Sequence, residues 1–114
     1  MVFMVWAQVP EGFKYQSVVR DVDGQIIAAS NVILKFSILQ GSIDGILLFS
    51  ETHDIFTNEL GIANTVIGQG EPQTGIFSQI DWSNGPYFIQ TAVDVNASGN
   101  FTVLGTTQLL SVPY

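Results

Sequence analysis

The run Tyr87-Phe-Ile-Gln-Thr-Ala-Val-Asp94 constrains the fold more than any other stretch of this chain. Its side chains sort by twos: Tyr87, Ile89, Thr91 and Val93 on one face, Phe88, Gln90, Ala92 and Asp94 on the other. That is a strand with an apolar face that needs cover. Its start is set by Trp82-Ser-Asn-Gly-Pro86. Asn84 tolerates positive φ, and Pro86, which has no N–H to donate, suits the entry to a strand. The cover must come from further strands, because no other segment sustains a 3.6-residue apolar period.

In chain order the alternation predicts strand one at 13–20, a turn at Asp21-Val-Asp-Gly24, and a short second strand at 25–28. The third, at 32–40, has Val32, Leu34, Phe36 and Ile38 inward and Lys35 and Ser37 outward. A fourth at 46–57 and a fifth at 62–67 flank the turn Asn58-Glu-Leu-Gly61. Residues 68–83 read as one long irregular loop, of a length that is often functional. Strand six is 87–95 and strand seven 101–110. Seven short strands between Gly, Asn and Asp turns predict an all-β, seven-stranded antiparallel β-sandwich in a single domain, residues 8–114. Phe36 and Ile89 are expected in its core, on opposing sheets.

Met1-Val-Phe-Met-Val-Trp-Ala7 is apolar and too short to span a bilayer. Val5 and Ala7 fit the small-residue pattern of a cleavage site before Gln8, so 1–7 is expected to be the remnant of a secretory signal. The other reading of these residues is a first β-strand.

Composition excludes several classes. Hydrophobic residues at 46% against charged residues at 11% rule out a disordered chain. A net charge of −7, with Lys14, Arg20 and Lys35 the only cations, leaves no basic patch for nucleic acid or an anionic membrane. The absence of cysteine removes disulfides, thiolate nucleophiles and Cys-based zinc sites.

Little is left for catalysis. His53, the one histidine, shares a strand face with Glu51 while Asp54 points away. Zinc requires three or four convergent ligands, so His53 reads as a surface or edge-strand residue. Asp21-x-Asp23-Gly24 is a fragment of a calcium loop without the closing Glu and reads as a turn. There is no Gly-x-Ser-x-Gly elbow, and Gly68-Gln-Gly70 lacks the helix and lysine of a phosphate loop. No enzyme activity, metal or cofactor is expected. Trp82, Tyr87 and Asn84 are the candidate ligand-binding residues, since aromatic rings on a loop can stack on sugars; the opposing expectation is that Trp82 caps an open end of the core. Asn96-Ala-Ser and Asn100-Phe-Thr match the glycosylation acceptor pattern and suggest an exposed turn.

Two resemblances add to this reading. Asp21-x-x-Gly24, Val32-Ile-Leu-Lys-Phe36, Thr57-Asn-Glu-Leu-Gly61 and Gly85-Pro-Tyr-Phe-Ile89 resemble the transthyretin-like (carboxypeptidase regulatory) sandwich, itself immunoglobulin-like. More of the chain is similar to an N-terminal domain of Bacteroidota-type secreted proteins. The similarity runs through Gln8-Val-Pro-Glu-Gly-Phe-Lys-Tyr-Gln16, Ser50-Glu-Thr-His53, Ile80-Asp-Trp-Ser-Asn-Gly-Pro-Tyr-Phe88 and Gly105-Thr-Thr-Gln-Leu-Leu-Ser-Val-Pro-Tyr114. In that family the domain follows the signal peptide and precedes collagen-like, fibre or endosialidase-chaperone-like regions. The resemblance implies a non-enzymatic structural or adhesion module, secreted or at the cell surface. Its implied partners are downstream domains of the same polypeptide, with other surface proteins or glycans as further candidates. The alternative function is a carbohydrate- or peptide-binding module using the 68–87 loop.

Overall fold

Period-two alternation becomes seven strands in the computed structural model, which describes residues 12–95 and 97–109. They are β1 Phe13–Val18, β2 Asn31–Gln40, β3 Ile46–Phe56, β4 Ile62–Ile67, β5 Glu71–Thr74, β6 Tyr87–Asp94 and β7 Thr102–Leu109. Every pairing is antiparallel. One sheet has five strands in the order β5-β3-β2-β6-β7, the other has β1 and β4 alone. Two short 3-10 turns, Phe77–Gln79 and Trp82–Asn84, lead into β6. The fold is an antiparallel β-sandwich, and no helix among the described residues is long and apolar enough to cross a membrane.

Register explains the core. β2 sits between β3 and β6, with Leu34 opposite Val93, Phe36 opposite Thr91 and Ile38 opposite Ile89. Directly opposed residues share a face, so the alternating apolar sets of β2 and β6 combine into one surface. Val32, Leu34, Phe36 and Ile38 are all buried there. Val19, Ala63 and Ile67 come down from the smaller sheet and its extension. Phe36 and Ile89 are both buried but lie on adjacent strands of the same sheet, not on opposing ones. The ring that Phe36 meets across the interface is Tyr15 of β1, edge-on at 5.8 Å. Ser37, expected outward, does face away from the core but is covered there, at 7% exposure.

The seven strands are not the seven the alternation suggests. Residues 25–28 form only one bridge, Arg20 with Ile26. Ile27 N–H and the Gln25 carbonyl pair back with Val19 and Asp21, but the Ile27 carbonyl and the next residues, Ala29 and Ser30, are taken by the Thr57–Gly61 turn. Thr57, fully buried, donates its hydroxyl to the Ile27 carbonyl at 2.8 Å and accepts the Ser30 N–H at 3.1 Å. Ala29 N–H donates to the Asn58 carbonyl at 2.9 Å, and Asn58 Oδ1 accepts from Leu60 and Ile62 at 2.8 and 2.9 Å. Gly61, at φ 76°, closes the turn in the left-handed region. The strand that replaces 25–28 is β5, inside the segment expected to be irregular. All four of its residues are exposed, so it has no apolar alternation to read. It contains Pro72, which suits an edge. Residues 1–7, the expected signal remnant, lie outside the described residues, as do 110–114 and Asn96.

Candidate functional site

The Trp82 region is built by the turn before β6. Asp81 sits at the head of the second 3-10 turn and accepts from Ser83 N–H at 3.1 Å and Ser83 Oγ at 2.6 Å. The Ser83 hydroxyl, and then its N–H, hold the Asp81 carboxyl below the usual carboxylate range. Tyr87 Oη donates to the Asp81 carbonyl. Burial first, and the Asp81 charge second, raise the Tyr87 hydroxyl above its ordinary value. The Gly85–Pro86 peptide is cis.

Around this turn four further rings close one end of the sandwich on Trp82. It meets Tyr87 at 5.2 Å, Phe77 at 5.7 Å and Phe13 at 6.3 Å, each near edge-on, and Phe77 in turn meets Phe49 at 5.4 Å. Offset and edge geometries are the favourable ones for aromatic pairs. Trp82 is 8% exposed and Tyr87 3%. Of the three nominated ligand residues only Asn84 is exposed; its carbonyl accepts from Gln40 Nε2 at 2.8 Å. The structure therefore brings Trp82 and Tyr87 together inside the core and leaves Asn84 at the rim.

His53 is more enclosed than the surface position, one of the two expected of it. β5 pairs with β3 only over Ser50–Thr52, so His53 lies just past that pairing, on the inward face of β3 at 14% side-chain exposure. Its ring stands edge-on to Phe36 at 5.5 Å, and its Nε2 is 2.5 Å from Glu51 Oε2. The shared face of Glu51 and His53 holds as the alternation requires. Glu51 is fully buried. It accepts from Gly68 N–H at 2.9 Å and from Gly70 N–H at 3.2 Å, so the carboxylate has three donors. A buried charge without such partners costs several kcal/mol. The backbone conformation and the lack of room explain why the two donors are glycines. Gly68 has φ 104°, and a Cβ on Gly70 would come within 2.6 Å of His53 Nε2. Sequence reading found the Gly-x-Gly and the Glu-x-His separately; their distance in sequence concealed that they form one unit.

The remaining candidates also bind main chain. Asp21 Oδ1 accepts from Asp23 and Gln25 N–H at 2.9 and 3.0 Å, a side-chain-stabilised turn. Asp94, 2% exposed, accepts from Ser98 N–H at 3.0 Å and Gly99 N–H at 2.8 Å and fixes the β6–β7 turn. No group of three or more metal-ligating side chains occurs among the described residues.

These features define an antiparallel β-sandwich whose polar interior serves its own loops. The chain belongs to the DUF8740 family, a domain of unknown function, whose model matches residues 14–108. No curated protein and no solved structure matches it.

Proposed function

We propose that this chain is a non-enzymatic structural module of a larger protein that is secreted or anchored at the cell surface. The observation that carries the reading is the use of its buried and turn carboxylates. Glu51, Asp94, Asp81 and Asp21 each accept from backbone amides of a loop or turn. A carboxylate acting as general base or ligand must face a substrate; Glu51 and Asp94 are buried, and Asp81 and Asp21, though at the surface, are committed to their own turns. The resemblance to N-terminal domains of secreted proteins supplies the location, and the sandwich suits a module in series with downstream domains. A binding function on the 68–87 loop would need aromatic rings open to a ligand, and Trp82 and Tyr87 are enclosed.

The test uses the uninterrupted reading frame, epitope-tagged within this module, in its own host. Antibody labelling of intact cells, or recovery from the medium, is expected. Retention in the cytosol overturns the location. A glycan array of the purified chain is expected to be blank; specific binding lost in Asn84→Ala would replace the structural reading with the binding one.

A further inference from the structure

The two sheets differ in width, five strands against two. β4 lies over β3, where Glu51 holds Gly68, and β1 lies over β2, where Tyr15 meets Phe36. Beyond β1, no strand among the described residues covers the inner face of β7. Thr107 and Gly105 sit opposite the inward Ile89 and Thr91, yet both are exposed. The result is a cleft walled by residues 15–18 of β1 and floored by Thr91, Leu104, Gly105 and Thr107.

Three independent features of this cleft fit an extended chain. The first is main-chain polarity. Val19 N–H donates to the Gly61 carbonyl, and Thr65 Oγ1 donates to the Tyr15 carbonyl, both on the β4 side. The alternation of an antiparallel ladder then turns the N–H and C=O of Lys14, Gln16 and Val18 toward the cleft. The second is Gly105. It interrupts a strand at an inward position, its φ is not positive, and a Cβ built on it meets nothing within 4 Å. Glycine inside a strand often marks the close approach of another backbone. The third is Ser17, 9% exposed and one of the residues that line the cleft, whose buried Oγ has no hydrogen-bond partner. The other buried hydroxyl in that condition, Ser50, lies within the larger sheet between β2 and β5. Buried polar atoms are nearly always satisfied, so a hydroxyl left unpaired beside a cleft marks a place for a partner.

We propose that the cleft receives an extended segment of another polypeptide. The segment pairs with β1 as a third strand of the smaller sheet, seats a bulky apolar side chain over Gly105 and satisfies Ser17. Strand addition of this kind draws affinity from main-chain hydrogen bonds and specificity from alternate side-chain pockets. Charge selects the partner. The chain carries −7 overall, but two of its three cations, Lys14 and Arg20, bracket this edge. Acidic residues at the ends of the incoming strand therefore match it. A second copy of this chain does not fit. Two β1 edges joined about a two-fold axis would place both β7 strands in the same space, since each projects beyond its own β1. The inference stands on the cleft alone and does not depend on whether the protein is exported.

The probe is a short soluble peptide with valine and threonine alternating about a central leucine and an aspartate at each end. Added to the full chain, it is expected to slow amide exchange at Lys14, Gln16 and Val18 by about tenfold or more. A peptide with proline at its centre should have no effect. The Gly105→Leu variant fills the cleft from its floor without backbone strain. It should keep the amide spectrum of the folded protein and lose peptide affinity by at least about tenfold. Four results overturn the proposal: no slowing at those amides, undiminished binding to Gly105→Leu, equal binding of a lysine-ended peptide, or amides already protected in the peptide-free monomer or in a dimer.

Discussion

Glu51 is the side chain with most at stake in this fold, because three donors converge on a carboxylate that water does not reach. Glu51→Ala leaves Gly68, Gly70 and His53 unpaired in the interior, and the expected loss is about 3–5 kcal/mol by urea denaturation. Glu51→Gln keeps an acceptor and should lose less. Asp81 and Tyr87 make the fold respond to pH at opposite ends of the scale. Asp81 has a lowered folded-state value, so its contribution is complete above the ordinary carboxylate range and fades as pH falls through the lowered value. Tyr87 has a raised one, so its contribution is complete below about pH 10 and fades as pH rises through the raised value. Melting temperature followed against pH should show a flattened acid limb in Asp81→Asn and a flattened alkaline limb in Tyr87→Phe. Only the short-range partnerships were legible from local sequence. Ser83 is two residues from Asp81 and could be suspected; Gly68 is seventeen from Glu51 and could not.

At the scale of the element, strands with one buried face announced themselves and strands without one did not. β2 and β6 alternate, and their inward sets were read correctly; β5 is exposed at every position and carries no such pattern. The 25–28 segment has strand-forming residues, but Thr57 takes its Ile27 carbonyl and Asn58 the N–H of Ala29 just beyond it, from some thirty residues away, which propensity does not register. That capture is testable. Thr57→Val removes the hydroxyl that bonds Ile27 and Ser30, and should cost about 1–3 kcal/mol, while Thr57→Ser should recover most of it. In the core, Phe36→Ala should cost about 3–5 kcal/mol and Ile89→Ala about 2–5 kcal/mol. Since both lie on one sheet and are separated by Ile38 and Thr91, a double mutant is expected to depart from the sum of the singles. For the aromatic closure, Trp82→Ala should cost about 3–5 kcal/mol. With Trp6 replaced to leave one indole, Trp82 should emit in the blue and resist quenchers.

Among the described residues, the chain's own carboxylates at positions 21, 51, 81 and 94 hold four of its turns and loops. Melting temperature is therefore expected to be unchanged by EDTA; a fall of several degrees would indicate a bound ion that the Asp21 turn was not credited with. The general form of the sandwich was readable from turn spacing, whereas the unequal width of its two sheets was not, since pairing order is invisible to alternation. The buried carboxylate has a consequence for descent as well. His53 has room only because Gly70 lacks a Cβ, and it sits where it does because Glu51 accepts from it. Positions 51, 53, 68 and 70 thus constitute one inheritable unit spread over two strands and a loop. A lineage that loses the acid at 51 gains nothing by keeping the histidine, whereas Gly68, at φ 104°, and Gly70, where a Cβ would meet the Thr52 carbonyl, stay required by the main chain. When relatives are aligned, columns 51 and 53 should vary together and the glycines at 68 and 70 should persist, while the exposed positions 54 and 59 drift.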